Sequence, residues 1–243
     1  MMRLGTTSYI YPADILTNVR KLSGLVQDVE LVLFEIDDPV RDLPDKTVIH
    51  ELREIATEHD MTYTVHLPLN LALARSNGNV NLACRTILAT LDLSPRGFIT
   101  HLEDGPRTGQ YELLHLVENS VRSLEAIGTA VGDLADICVE NLEGQPLRMI
   151  DLIMERIPVS CCVDIGHLWK QGLDALDHLR SWLPRTRVVH IHGVGSRDHQ
   201  SLSVIPASEL DPVFQLLRKQ FNGVLTIEVF NEADLLESLP MLK

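Results

Sequence analysis

Short apolar, β-branched runs alternate along the chain with longer stretches of helical period, and the alternation repeats eight times. The predicted strands are Arg3–Ser8, Val29–Ile36, Thr62–Leu67, Gly97–Leu102, Asp136–Asn141, Val159–Ile165, Arg187–Gly193 and Val224–Phe230. Between and after them the period predicts helices over Pro12–Leu25, Thr47–His59, Val80–Leu93, Tyr111–Val131, Pro146–Arg156, Leu173–Trp182, Ala207–Gln220 and Glu232–Leu239. Eight βα units close most economically as a (β/α)8 barrel. The rival is an open, doubly wound sheet, which needs a Gly-rich phosphate-binding first turn. Leu4-Gly5-Thr6-Thr7-Ser8 does not supply one. No Pro/Gly/Ser-rich linker interrupts the pattern, so residues 1–243 read as one domain.

In such a barrel the chemistry sits where strands end and βα loops begin. The predicted strand ends offer Glu35, His66, His101, Glu140, Asp164 with His167, His190 with His192, and Glu228. Each alone has a plain explanation: His66 as a hydrogen-bonded strand-end histidine, Glu35 beside Asp37 and Asp38 as a solvated loop acid. Together they are harder to explain, because several stand inside apolar runs such as ICVEN, CCVDIG and LTIEVF. A buried charge costs several kcal/mol unless it is paired or metal-bound. A cation among them removes that cost. Mixed imidazole and carboxylate donors without cysteine suit Zn²⁺, Mn²⁺ or Fe²⁺ better than Ca²⁺, with Zn²⁺ or Mn²⁺ the leading choices. Gly166 is expected to let the chain turn so that Asp164 and His167 both face the mouth.

Composition narrows the partners. Lys and Arg number 21 against 34 Asp and Glu, a formal net charge of −13, and no basic cluster offsets it. Such a surface repels phosphate backbones, so the expectation is a small-molecule substrate and no nucleic acid. Cys84, Cys138, Cys161 and Cys162 show no C-x-x-C spacing and read as small buried hydrophobes in a reducing compartment. With no signal peptide or spanning run, the reading is a cytoplasmic protein without membrane contact. Tyr9 and Tyr11 after the first strand and Trp169 after the sixth are candidates to stack on a substrate ring, or are packing residues.

These residues carry a resemblance. Glu140 in VENLEG, the D-x-G-H of Asp164 and His167, the H-x-H of His190 and His192, and Glu228 in TIEVF resemble, in order, the xylose isomerase-like TIM barrels. That superfamily is also called AP endonuclease family 2, and it includes endonuclease-four-type enzymes. His66 and His101 resemble the two extra histidines of its three-metal members. Asp198-His199 resembles their D-x-H, except that here the two are adjacent. The resemblance implies metal ligands at His66, His101, Glu140, Asp164, His167, His192 and Glu228, with one to three ions per chain. His190, Asp198 and His199 are further metal or substrate contacts. His192 is favoured over His190 as the strand-seven ligand because it lies nearer the strand end. A narrower likeness, over GTTSYIYPADILTNVRKLSGLVQDVELVLFE, is to the cobamide-remodelling phosphodiesterases, which cleave the phosphoribosyl linkage in the nucleotide loop of B12-type cofactors.

The leading functional expectation is therefore a metal-dependent phosphodiesterase acting on a small substrate, a cobamide or a sugar phosphate, with Glu140, Glu228 and His167 catalytic. The alternative is a sugar isomerase or epimerase, in which one ion polarises a carbonyl and the two glutamates move the proton. That chemistry does not require His66 and His101 as ligands. A non-catalytic binding barrel is the third reading.

Overall fold

The computed structural model describes residues 1–35, 37–38, 41–102 and 110–242. Eight parallel strands pair in chain order and close on themselves. They are β1 Arg3–Thr7, β2 Asp28–Val32, β3 Thr62–His66, β4 Phe98–Thr100, β5 Ile137–Glu140, β6 Ser160–Asp164, β7 Thr186–Ile191 and β8 Val224–Ile227. Leu4 pairs with Leu225 and Thr6 with Ile227, so β8 returns to β1 and the sheet keeps no open edge. The described helices are α1 Ile15–Leu22, α2 Lys46–His59, α3 Val80–Thr90, α4 Gln110–Val131, α5 Leu147–Met154, α6 Ile165–Lys170, α7 Ala175–Trp182, α8 Ala207–Gln220 and α9 Glu232–Ser238. None is long and apolar enough to cross a membrane.

Strand residues alternate between two environments, as the pleat requires. Val29, Leu31, Val163, Val189 and Ile191 join the large buried cluster with Leu52, Ile87, Leu124 and Leu217 of the helices. Each fully buried aliphatic side chain there contributes roughly 1.5–3 kcal/mol. A second, small cluster of Ile99, Cys138, Cys162 and Val188 stands apart from it. All four cysteines are free, and three are buried.

Three elements differ from the sequence pattern, each for a local reason. α1 begins at Ile15 rather than near Pro12, because the Asp14 carboxylate accepts from Thr17 N at 2.7 Å and fixes the first turn there. β2 ends at Val32. Leu33 N still bonds His66 O at 3.1 Å, but Glu35 is exposed, as a solvated loop acid should be, and the predicted terminal Ile36 lies outside the described residues. α6 is a helix the periodicity missed. It starts directly from β6, because Asp164 accepts from His167 N at 2.7 Å and caps it.

Asp28 lies fully buried at the start of β2, level with Gly5 and Thr62. Thr62 Oγ1 donates to it at 2.6 Å and Thr64 Oγ1 at 2.9 Å. Burial outweighs these bonds and raises its pKa from 3.8 to about 6. An acid whose pKa is raised on folding costs stability once pH climbs past its unfolded value, and the cost is complete above the folded one. Asp28→Asn should therefore raise Tm at pH 7.5 and do so much less at pH 4. The gain is at most about 3 kcal/mol. Equal gains at both pH values in thermal melts would contradict this.

Candidate metal centre

The C-terminal ends of β3 to β8 and the loops that follow bring the imidazole and carboxylate candidates together, from His66 to Glu228. Glu140, the last residue of β5, is 2% exposed and each of its oxygens faces a different group. Oε2 lies 3.2 Å from His66 Nε2 and 3.2 Å from His101 Nε2. Oε1 lies 3.3 Å from His190 Nδ1. His66 and His101 are not level in the sheet: His66 pairs with Ile99, two residues before His101. His101 follows Thr100, which pairs with Val139, so it stands level with Glu140, and both rings meet one oxygen with centroids 4.9 Å apart.

On the other side of Glu140, β6 and β7 set Asp164 opposite His190. Glu228, just past β8, puts Oε2 3.4 Å from His190 Nδ1. Ligand atoms of Glu140, Asp164, His190 and Glu228 all lie within 4.8 Å of one another, as do those of His66, His101 and Glu140. A third group consists of His167, His192 and His199, and a fourth of Glu143, His167 and Asp198. His192 Nε2 lies 3.4 Å from Asp164 Oδ1, and its Nδ1 lies 3.5 Å from Asp198 Oδ1. Lys170 Nζ pairs with both Glu143 and Asp198.

His190 and His192, the two candidates for the strand-seven ligand, face different groups. His190 Nδ1 faces both glutamates, whereas His192 faces Asp164 and Asp198. Residues 190 and 192 point to the same side of β7, and each ring reaches carboxylates that stand on other strands or in the following loop.

The adjacency of Asp198 and His199 is resolved by the backbone. Gly193 and Gln200 exchange hydrogen bonds of 2.8 and 3.0 Å, closing the loop, and Arg197 pins it to Asp234. Within it His199 adopts φ 49°, the left-handed region, and its ring comes to 4.1 Å from that of His192.

Charges in this cluster hold one another. Burial pushes Glu140 up, but His190 and His101 overcome it and keep the carboxyl well below the usual range. Glu228 is likewise lowered, against burial, chiefly by His190. Asp198 falls to about 2 despite burial, through Lys170 and the imidazoles. Burial lowers His192, yet Asp164 brings it up to about 9. Even so, Asp164 Oδ2, Glu228 Oε2, His190 Nδ1 and His192 Nε2 are buried without a hydrogen-bond partner. Orphaned buried polar atoms are rare and call for a reason. Here they converge as carboxylate oxygens and imidazole nitrogens, the donor set of a transition-metal or zinc site, so the residues fit a divalent cation.

Gly166 serves the site differently from the expected turn. Its backbone is helical, not left-handed, but a Cβ there would lie 2.2–2.5 Å from the His192 ring. Glycine is what lets α6 pack onto that imidazole. Gly166→Ala should displace His192 or the helix and lower stability by about 1–3 kcal/mol. Unchanged Tm together with wild-type metal content would contradict this.

The groups open into a cleft of about 330 Å³ lined by His66, His101, Glu140, His167, His199 and Glu228, with Phe34, Leu69 and Phe230 among its apolar walls. Those three residues also border a neighbouring cavity of about 580 Å³, walled by Tyr9, Ile15, Val32 and Leu33 with Glu35 and Asp42. Tyr9 is 64% exposed there, its ring 6.5 Å from Phe230. Tyr11 and Trp169 line neither space. Tyr11 bonds Glu232 and lies beneath Lys21, and Trp169 packs on the core. Five neighbours of the site went unread in the sequence. Phe34 and Phe230 carried the faint signal of an aromatic at a strand end, and Glu143 and Lys170 carried none. A fifth, Glu30, buried on β2 and 2.8 Å from His190 Nε2, was visible as the one acid in VELV.

The sequence matches the family described as "Xylose isomerase-like TIM barrel" over residues 26–243. No functionally curated protein matches it significantly. Among solved structures it is similar to a D-tagatose 3-epimerase-like protein, with 18% identity, TM-score 0.78, and 99% and 96% of the two chains covered. Endonuclease IV from Thermus thermophilus superposes at TM-score 0.75, with 16% identity over 99% of this chain and 97% of that one. D-Psicose 3-epimerase from Clostridium cellulolyticum, bound to D-tagatose, does so at 0.70, with 14% identity over 94% and 85%. At these identities the likeness establishes the fold. With the family match spanning β2 to α9, the chain belongs to the xylose isomerase-like TIM barrels.

Proposed function

We propose that the protein is a divalent-metal-dependent hydrolase of a small phosphodiester. The observation that carries this reading is Glu140, whose two oxygens face two separate donor groups, His66 with His101 and His190 with its carboxylate neighbours. Cations bound there supply Lewis acidity, polarising phosphoryl oxygens and lowering the pKa of water. His66, His101 and Glu140 would hold one ion, and Glu140, Asp164, His190 and Glu228 a second. His167, His192 and His199 with Asp198 offer a third place. Zn²⁺ or Mn²⁺ suits these donors. Glu140, Glu228 and His167 all line the cleft and would touch the reacting group.

The adjoining cavity suits a non-polar arm of the substrate. It presents aliphatic and aromatic walls with acids and no cation among its described lining residues, so the phosphate belongs in the metal cleft. Six of its lining residues, Tyr9, Ile15, Val32, Leu33, Phe34 and Glu35, fall within the opening stretch that resembles cobamide-remodelling phosphodiesterases. That coincidence supports the phosphoribosyl linkage of a cobamide as the specific substrate.

A second reading, a sugar epimerase or isomerase, is favoured by the epimerases among the similar structures. It would use Glu140 and Glu228 in a single-ion site. Incubating the Zn²⁺- or Mn²⁺-loaded protein with cobamides, simple phosphodiesters, sugar phosphates and keto sugars separates the two. The expected result is phosphodiester cleavage with the gain of one water by mass, and unchanged keto sugars. Epimerised keto sugars with intact phosphodiesters would replace the first reading by the second.

A further inference from the structure

Glu30 stands in the middle of β2 with no solvent access, and its carboxylate reaches across the barrel. Its Oε2 lies 2.8 Å from His190 Nε2, although β2 and β7 are not neighbours in the sheet. The opposite ring nitrogen, Nδ1, is the one facing Glu140 Oε1 at 3.3 Å and Glu228 Oε2 at 3.4 Å. The imidazole is thus held between one carboxylate below and two at the mouth.

A neutral imidazole carries its proton on one nitrogen and a lone pair on the other, and an ionised carboxylate can only accept. With Glu30 on Nε2, one proton stays on that side, and were a cation to replace the second proton, the Nδ1 lone pair would be turned toward it and the surrounding carboxylates. The other Glu30 oxygen, Oε1, has no hydrogen-bond partner, so the histidine is the contact that accounts for a carboxylate here. A Leu or Met in its place would fill the layer without burying a charge.

We infer that Glu30 is a positioning residue that fixes the tautomer and orientation of His190 and strengthens it as a metal donor. The inference rests on the reading that His190 holds a cation together with Glu140, Asp164 and Glu228. Carboxylates placed behind metal-binding histidines typically affect metal affinity by 10–100-fold. Glu30 would thereby set how tightly this cluster binds without touching ion or substrate.

The test is a Zn²⁺ competition titration against a chromophoric chelator for wild type, Glu30→Gln and Glu30→Leu. The site concerned is identified by its loss in His190→Gln. Two-bond ¹H–¹⁵N spectra of the Zn²⁺-loaded proteins report the His190 tautomer. Glu30→Gln keeps the shape and still accepts the Nε2 proton, so it isolates the charge and should weaken Zn²⁺ at that site by about 10–100-fold. Glu30→Leu should weaken it further and let His190 populate the tautomer with its proton on Nδ1 instead of Nε2. Wild-type affinity in folded Glu30→Gln, with or without a lower Tm, overturns the inference and leaves Glu30 a purely structural partner. If wild type itself binds no Zn²⁺ through His190, the underlying functional reading fails instead.

Discussion

Glu140→Gln should abolish two cation sites at once and lower phosphodiester turnover by at least about a thousandfold, or ~4 kcal/mol of transition-state stabilisation. The size of the effect follows from its position. Among the described residues, no other side chain in the centre faces both the His66–His101 pair and His190, each across 3.2–3.3 Å. Glutamine preserves the shape, but it replaces one acceptor oxygen with a donor NH₂ and removes the charge. Whichever way the amide turns, one cluster meets a donor where it needs a ligand. The same substitution should destabilise the metal-free protein. Glu140 raises both His66 and His167 against their burial, so losing it strands buried imidazolium charge. Breaking a buried pair from one side costs about 3–5 kcal/mol. Turnover, metal content and Tm measured on one preparation check all three. Wild-type turnover or metal content would contradict the bridging role.

His101→Ala should remove one cation, leave the Asp164–His190–Glu228 cluster loaded, and lower phosphodiester turnover by at least about a hundredfold, ~2.7 kcal/mol. His66→Ala should act in the same direction but is the less clean test. The His66 side chain is 1% exposed and its Nδ1 lies 2.8 Å from Leu67 O, so truncation also leaves a cavity and disturbs that carbonyl. The His101 side chain is 15% exposed and can be shortened with less loss of packing. The comparison that decides between functions is keto-sugar turnover. Epimerisation that survives His101→Ala, in a protein whose phosphodiester activity is nil, would assign these histidines to substrate contact in a sugar epimerase.

The barrel was legible because its signal is periodic and repeated. Eight alternations of strand and helix leave few closed solutions, and the polar strand ends stand out against runs such as ICVEN. Local chemistry was less legible. The run VELVLFEI reads as one long strand, which directs attention to Glu35 at its tip. The sheet pairing ends earlier, and the carboxylate reaching the centre from β2 is Glu30. α6 was hidden because Asp164, conspicuous as a ligand candidate, also caps the helix that carries His167. The spacing of Asp198-His199 looked wrong for a shared site because sequence does not reveal φ 49° at His199, which folds the adjacent pair toward His192. Nor does sequence reveal which groups the rings of His190 and His192 face. Those groups come from β2, β5 and β8 for the first and from the segments around β6 and β7 for the second.

The central claim is a centre of more than one cation sharing Glu140. The most direct test is the number of tightly bound divalent ions per chain. Wild-type protein is loaded with Zn²⁺ or Mn²⁺, freed of excess metal, and measured by plasma mass spectrometry against protein concentration. At least two ions per chain are expected, reduced by one in His101→Ala. A single ion per chain in wild type, unchanged by that substitution, would contradict the claim.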